Sequence, residues 1–303
     1  MKIAIAGSSG TIGTALEKSL TDQGHAVVRL IRSNRAEVTE GAAWNPLTGE
    51  LDVTKANGTE CVVYLGGAPV GERRWTRERK KILYDSRVGA TRRLVEWLPR
   101  LSPVPRVFIS ASAVGYFGSR GDELLSEDSP PGVSFLANLI RDWEDAAFVA
   151  TQHGMRTVVL RFGVVLTPKT GALAQLLGQA RRGSVLGMGS GKQWISWSTL
   201  SEAVRIINHA IHAPEWNGII NAVTPNPVTN AEFMDVIARF VGRRTRTRLA
   251  VPGFLLRLLI GEVADAYLLT SQRVEPRKLL QQLHYKFADP RFEEWLQLQR
   301  NYQ

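Results

Sequence analysis

The sequence predicts a doubly wound α/β fold, a parallel sheet with helices on both faces, followed by a small and mostly helical C-terminal cap. Three observations lead there. Short apolar runs alternate with amphipathic stretches as far as Val165, the pattern of successive βαβ units. The runs are apolar at consecutive rather than alternate positions, as strands covered on both faces must be. A glycine-rich turn follows the first run directly, where a strand should hand over to a helix.

Taken in order, Lys2–Ala6 reads as a strand, Thr11–Gln23 as a helix and Ala26–Ile31 as a second strand. Cys61–Leu65 is the next strand, and a long helix runs from about Thr76 to Trp97. Arg106–Ser112 (strand), Phe135–Gln152 (helix) and Thr157–Phe162 (strand) continue the alternation. Beyond Val165 the pattern loosens, and Gly183–Gly191 is rich enough in glycine to be loop. Thr199 with Glu202, and Thr229 with Glu232, have capping-box spacing, so each pair should open a helix. Gly218–Val223 returns a strand to the sheet. The text from Pro252 is helical, with Arg273–Leu283 as one of its helices. The expected division is a sheet domain over residues 1–225, with a lid-like excursion at about 166–194, and a substrate-side cap over 226–303.

Composition narrows the function classes. With 303 residues, 44% hydrophobic and 22% charged, disordered, collagen-like and coiled-coil chains are excluded. A chain of this length builds a core that needs neither disulfide nor metal. Its single cysteine, Cys61, cannot pair within the chain, and inside Cys61-Val62-Val63-Tyr64-Leu65 it reads as a core thiol rather than a nucleophile. No apolar stretch approaches the ~20 residues of a membrane helix, and Met1–Gly7 is too short for a signal peptide, so a cytoplasmic protein is expected. The five histidines have no metal-ligand spacing, so no metal is expected.

The net charge of +10 favours anionic partners. It gathers at Arg73–Lys81 and at Arg243, Arg244, Arg246 and Arg248. Neither patch interleaves aromatic residues or carries a nucleic-acid signature, so nucleic acid is disfavoured. Solvated helix faces and loops are the plainer reading, and a phosphate-bearing small molecule is the alternative. A homo-oligomer is left open.

The first strand runs into Gly7-Ser8-Ser9-Gly10-Thr11-Ile12-Gly13, a GxxGxxG turn. Gly7 permits the tight turn, Gly10 lets backbone N–H groups approach a pyrophosphate, and Gly13 allows close helix–sheet packing. This is the cradle of a Rossmann-type dinucleotide site, with Ser8, Ser9, Thr11 and Ile12 as its remaining members. An acidic residue at the end of the second strand would bind the ribose hydroxyls of NAD. Here the strand ends Leu30-Ile31-Arg32-Ser33-Asn34-Arg35, with no carboxylate before Glu37. Arg32 can pair with a 2′-phosphate and stack on adenine, and Ser33 can donate to the same phosphate, which favours NADP. Arg35 reads as an exposed loop residue. Leu65, Gly66, Gly67, Arg87 and Val165 complete the expected cofactor-binding set.

With Phe108-Ile109-Ser110-Ala111-Ser112-Ala113-Val114-Gly115-Tyr116-Phe117-Gly118 on a later strand, the chain resembles the extended and atypical short-chain dehydrogenase/reductases. Within them it is similar to epimerase-like proteins labelled nucleoside-diphosphate-sugar epimerases or cell-division inhibitors. Further marks are Arg74-Trp75-Thr76, Ser86-Arg87 with Thr91, Trp143-Glu144 and Leu160–Leu166. Gly189–Gln193, Pro227–Phe233, Val251-Pro252 and Leu258–Glu262 extend the resemblance over essentially the whole chain. It implies a Rossmann fold binding NADP, with a small C-terminal domain over the substrate.

In the wider family a Ser or Thr, a Tyr, and a Lys four residues after the Tyr do the chemistry. The Tyr is the acid/base, and the Lys lowers its pKa and holds the nicotinamide ribose. Ser112 matches the Ser, although a strand-end residue of that size also reads as a simple cap. The Tyr-x-x-x-Lys pair is missing: no lysine follows any of the six tyrosines at that spacing, and none occurs between Lys81 and Lys169. The helix expected to carry the pair offers Phe135-Leu136-Ala137-Asn138-Leu139-Ile140-Arg141. Tyr116 is a substitute acid, but a tyrosine with no cation beside it is a poor base at neutral pH. Arg87 stands where sugar epimerases carry an asparagine; it reads equally as a holder of phosphate or carboxylate and as a helix-surface residue. Trp197-Ser198-Thr199-Leu200 replaces the Trp-His-Asp that relatives commonly have. The loop Leu186–Trp194 reads as a surface turn or as a lid offering Lys192 and Gln193. The resemblance thus implies an NADP-binding, epimerase-like enzyme for a nucleotide sugar or another phosphorylated or acidic metabolite. The rival is a cofactor-binding regulator without turnover.

Overall fold

The computed structural model describes residues 1–33, 40–71, 73–183, 185, 187–242 and 250–302. Asn34, Arg35, Glu37, Leu186 and the Arg243–Arg248 run lie outside the described residues. Seven strands form one parallel sheet: β1 (Lys2–Ala6), β2 (Ala26–Arg32), β3 (Ala42–Trp44), β4 (Cys61–Tyr64), β5 (Val107–Ala113), β6 (Arg156–Phe162) and β7 (Gly218–Ala222). Their order is 3-2-1-4-5-6-7, so the winding reverses between β1 and β4. Side chains alternate between faces, and both faces are apolar. Ile3 and Ile5 of β1 enter one core, and Ala4 and Ala6 enter the other.

Besides the single turn Val53–Ala56, the α-helices among the described residues are α1 (Thr11–Asp22), α2 (Arg77–Tyr84), α3 (Ala90–Trp97), α4 (Phe135–Gln152), α5 (Gly171–Arg181), α6 (Leu200–His212), α7 (Asn230–Phe240), α8 (Gly253–Ile260) and α9 (Phe292–Leu298). A single π-helical turn, Asp85–Gly89, joins α2 to α3. Leu16 and Leu20 of α1 and Ile206, Ile207 and Ile211 of α6 cover the Ile3 face. Leu94 and Val95 of α3 and Ile140, Trp143 and Ala147 of α4 cover the other. The 3.6-residue spacing of Leu136, Leu139, Ile140, Trp143 and Ala147 turns one stripe of α4 to the sheet. Ser134 starts that helix by accepting the Ala137 N–H at 3.1 Å. A separate core gathers Leu173 and Leu177 of α5, Phe233 and Ile237 of α7, and Trp295 and Leu296 of α9 around Trp197. The lid-like stretch therefore packs with the tail.

Four local expectations are corrected. The sequence reading had no strand at β3, because three residues are too short a run to show a period. Arg273–Leu283 is not one helix: Arg273–Val274 pairs in parallel with Leu124–Leu125, and helical turns begin only around Lys278. Pro276 accounts for this, since it biases the residue before it to extended backbone and lacks an N–H. Gly183–Gly191 is not all loop, because Gly187–Met188 pairs with Ala250–Val251. Thr229 and Glu232 form the full reciprocal capping box, whereas Thr199 accepts the Glu202 N–H at 3.0 Å but gets no side-chain bond back from Glu202. The Glu202 carboxylate is buried and accepts the N–H of Ala288 at 2.8 Å and the Tyr285 hydroxyl. Cys61 is buried, and desolvation pushes its thiol up to about 12. Among the described residues no helix is long and apolar enough to cross a membrane.

Candidate active site

A cleft of about 910 Å³ opens at the carboxyl ends of β1, β2 and β4, where the strand order reverses. Gly7, Ser8, Ser9 and Gly10 form one wall, Arg32 another, and Leu65, Gly66 and Gly67 a third. The three motif glycines do different work. Gly7 has φ +84°, and a Cβ there would lie 2.8 Å from the Leu65 carbonyl carbon. A Cβ on Gly13 would fall 2.2 Å from the Gly7 carbonyl oxygen, so α1 abuts the turn at that point. A Cβ on Gly10 meets only the Gly7 oxygen, at 3.4 Å, so nothing in the fold requires this glycine. Gly10 is also the N-cap of α1 and gives it no side-chain cap. The first-turn N–H groups of α1, at Thr11, Ile12 and Gly13, are thus left without a side-chain cap beside the cleft wall, although these three residues do not line it. A bare backbone cradle at a helix start fits a dinucleotide pyrophosphate.

Arg32 is exposed at the end of β2, and Ser33 beyond it donates its N–H to the Trp44 carbonyl at 3.0 Å. Among the described residues two carboxylates line the cleft, and each already has a cation. Glu17 binds Arg29 at 2.7 Å, and Asp85 binds Lys81 at 2.9 Å. Tyr64 closes the floor, donating its hydroxyl to the Ser86 carbonyl at 3.0 Å, and burial pushes its pKa up to about 12. Val165 lies outside the cleft wall, in a short strand beside Ser198, and packs against the apolar core under α1 and α6.

Ser112 and Tyr116 also stand outside the cleft wall, in a buried network. Ser112 is only 4% exposed and donates its hydroxyl to Glu144 Oε1 at 2.5 Å. Arg161, directly opposite Ser112 in the register of β5 with β6, is fully buried. It grips Glu144 with Nε and Nη2 at 2.7 Å each. The same guanidinium lies 3.5 Å from the centre of the Tyr116 ring. The expectation that Tyr116 has no cation beside it is therefore corrected, although this cation is already neutralised by Glu144. Gly115, in the turn between them, packs against Leu136 and Ile140 of α4, with 2.9 Å from its Cβ position to Ile140 Cδ1. Apolar side chains thus hold the helix face turned to the Gly115 turn.

In the sequence, Glu144 and Arg161 stand out only as parts of the family resemblance. The signal was present: each is a lone charge on an otherwise apolar buried face, and such a charge needs a partner. Arg87 is not a surface residue. It sits in the π-helical turn, its guanidinium pressed against Gly67, whose Cβ position is 3.0 Å from Cζ, and lies 5.4 Å from the Trp143 ring. Burial pulls its pKa down to about 10, so it stays charged at neutral pH. Gln193 is not open to a substrate, because its amide is tied to the carbonyls of Met188 at 2.7 Å and Leu268 at 3.2 Å. Lys192 beside it is exposed. Among the described residues no cluster of His, Cys, Asp or Glu could hold a metal ion.

This arrangement, a parallel sheet with a glycine cradle at its switch point, defines a dinucleotide-binding protein of the short-chain dehydrogenase/reductase type. The chain belongs to the NAD dependent epimerase/dehydratase family, whose pattern matches residues 3–222, and residues 251–298 match a domain of unknown function, DUF1731. It is 40% identical over 277 residues to the epimerase family protein MT2273 of Mycobacterium tuberculosis, covering 91% of this chain and 90% of that one. It is 30% identical to the human epimerase family protein SDR39U1, covering 92% and 93% of the two chains. The crystal structure of human SDR39U1 (isoform2) with NADPH superposes with a TM-score of 0.85 at 27% identity, over 98% of each chain.

Proposed function

We propose that this chain binds NADP(H) in the cleft and acts as an epimerase-like oxidoreductase. Its substrate is a nucleotide sugar or another phosphorylated or acidic metabolite, handled at an acid/base site that lacks Tyr-x-x-x-Lys. The observation that carries the cofactor choice is Arg32 on the cleft wall, where both lining carboxylates among the described residues are already ion-paired. A free acid there would repel a 2′-phosphate, and a guanidinium would bind it. The NADPH in the human relative's structure supports the same choice. Residues 1–225 would bind the cofactor, and 226–303 would cover the substrate.

When bound, the nicotinamide would exchange hydride with a substrate carbon. The protein's part is binding and proton handling. The glycine loop holds the pyrophosphate, and Arg32 with Ser33 holds the 2′-phosphate. Because the Ser112 proton is directed to Glu144, its oxygen offers lone pairs, so Ser112 would accept a hydrogen bond from a substrate hydroxyl. Tyr116, or water, would carry the proton to or from the reacting oxygen.

A second reading, a cofactor-binding regulator without turnover, is favoured by one observation: Leu136 and Ile140 occupy the helix face against the Gly115 turn. Calorimetric titration with NADPH and NADH, followed by fluorescence-monitored oxidation of bound NADPH by nucleotide sugars and keto compounds, separates the two. Oxidation by any compound supports the enzyme, and tight NADPH binding without oxidation by any of them supports the regulator. Arg32→Ala should weaken NADPH by about tenfold or more and NADH far less, the scale of one charge-assisted contact. Equal losses for both would remove the 2′-phosphate argument.

A further inference from the structure

Arg79 and Arg87 lie on one continuous helical rod, α2 running through the π-helical turn, and both face the loop that follows β4. That loop is bolted to the rod. The Ala68 N–H donates to Ser86 Oγ at 3.1 Å and Arg79 Nη2 donates to the Pro69 carbonyl, while within the loop Trp75 Nε1 donates to the Val70 carbonyl at 2.9 Å. Each guanidinium nevertheless keeps a buried N–H group with no acceptor, Nε of Arg79 and Nη1 of Arg87. Among the described residues no carboxylate pairs with either. The charges that bear on Arg87 are Tyr64 and Arg79, and Asp85 nearby is taken by Lys81 at 2.9 Å.

Two neighbouring cations, one of them desolvated and each with a buried N–H group lacking an acceptor, make an unfavourable arrangement that a bound anion relieves. A π-helical turn often marks a functional position, and here it is the turn that carries Arg87. In the reading above, the phosphates of a dinucleotide would be served by the glycine loop and by Arg32. Arg87 lies beyond Gly67 and over Trp143, whose chain neighbour Glu144 holds Ser112. It thus stands directly behind the Gly67 wall of the cleft, without itself lining it.

We propose that Arg87, assisted by Arg79, binds the oxyanion of the second ligand, a phosphate or carboxylate group on the small molecule that docks beside the dinucleotide. This deepens the reading above and rests on it for the identity of the neighbour. Guanidinium forks suit either anion, because both present paired oxygens.

The test is calorimetric titration of the full-length, NADPH-saturated protein with inorganic phosphate and, separately, malonate, at fixed ionic strength. Wild type should bind at least one of them saturably at a single site. Arg87→Ala should weaken that binding by about tenfold or more, and Arg79→Ala by several-fold, while NADPH affinity changes by less than about threefold. Gly67→Ala retains every charge but puts a Cβ 3.0 Å from the Arg87 carbon, so it too should weaken the anion. Arg87→Lys should lose part of the affinity, and these two variants carry the test if Arg87→Ala does not fold. Absence of saturable binding to wild type, or unchanged binding in Arg87→Ala, overturns the proposal. So does a tenfold loss of NADPH with anion binding intact, which would make Arg87 a cofactor residue. If wild type does not bind NADPH, the dinucleotide reading fails by itself. The same anion titrations on unloaded wild type and Arg87→Ala then still decide the arginine pair.

Discussion

Glu144 carries three bonds at once, two from Arg161 and one from Ser112, in a place water does not reach. Taking it away leaves a guanidinium buried without a counter-charge, which typically costs about 3–5 kcal/mol. Glu144→Ala should therefore lose about that much stability in urea unfolding. Replacing Glu144 and Arg161 together by Leu and Met should cost far less, since matched apolar replacements remove both desolvated charges. If the double variant were as unstable as the single one, the pair would matter for shape rather than charge. The pair was half legible beforehand: the lone charges on buried faces could be read, but which charge meets which depends on strand register, set by contacts distant in sequence.

At the scale of elements, the glycine turn divides into a part the fold needs and a part a ligand needs. Gly13→Ala would drive its Cβ to 2.2 Å from a backbone oxygen, so α1 must shift and the melting temperature should fall by several degrees. Gly10→Ala meets only one atom, at 3.4 Å, so it should melt close to wild type and yet bind dinucleotide more weakly. Matched melting curves for the two variants would contradict this division. The GxxGxxG pattern, its strand and its helix were all readable, because turn, cap and period agree within a few residues. The π-helical turn was not readable: one extra residue in a helix leaves no periodic signature in so short a span, and it fixes where Arg87 points. Nor was the π-helical stretch Lys278–Gln282 readable in place of a continuous helix.

On the scale of the whole molecule, α1 and α6 meet on one face of the sheet, and their ends bring His25 against His212 with ring centres 5.1 Å apart. Desolvation first, then His25, the N-terminus and His209, pull the His212 pKa below the ordinary value. The unfolded chain then takes up a proton more readily than the folded one, so stability is complete above about pH 6.5 and declines as pH falls below it. His212→Gln should flatten that part of the stability–pH curve, measured by urea unfolding; an unchanged slope would assign it to other groups. The sheet itself was largely legible, since six of its seven strands are apolar runs between amphipathic stretches. The tail was less so. Its short pairings, such as Arg273–Val274 with Leu124–Leu125, depend on partners far away in sequence.

The strand order 3-2-1-4-5-6-7 bears on how the chain is made. Each strand after β1 joins an edge that already exists: β2 and β3 extend one side, and β4 to β7 extend the other. No later strand has to be wedged between two earlier ones. A nascent chain leaving the ribosome can therefore lay down its sheet from the centre outward in order of synthesis, without opening a pairing already formed.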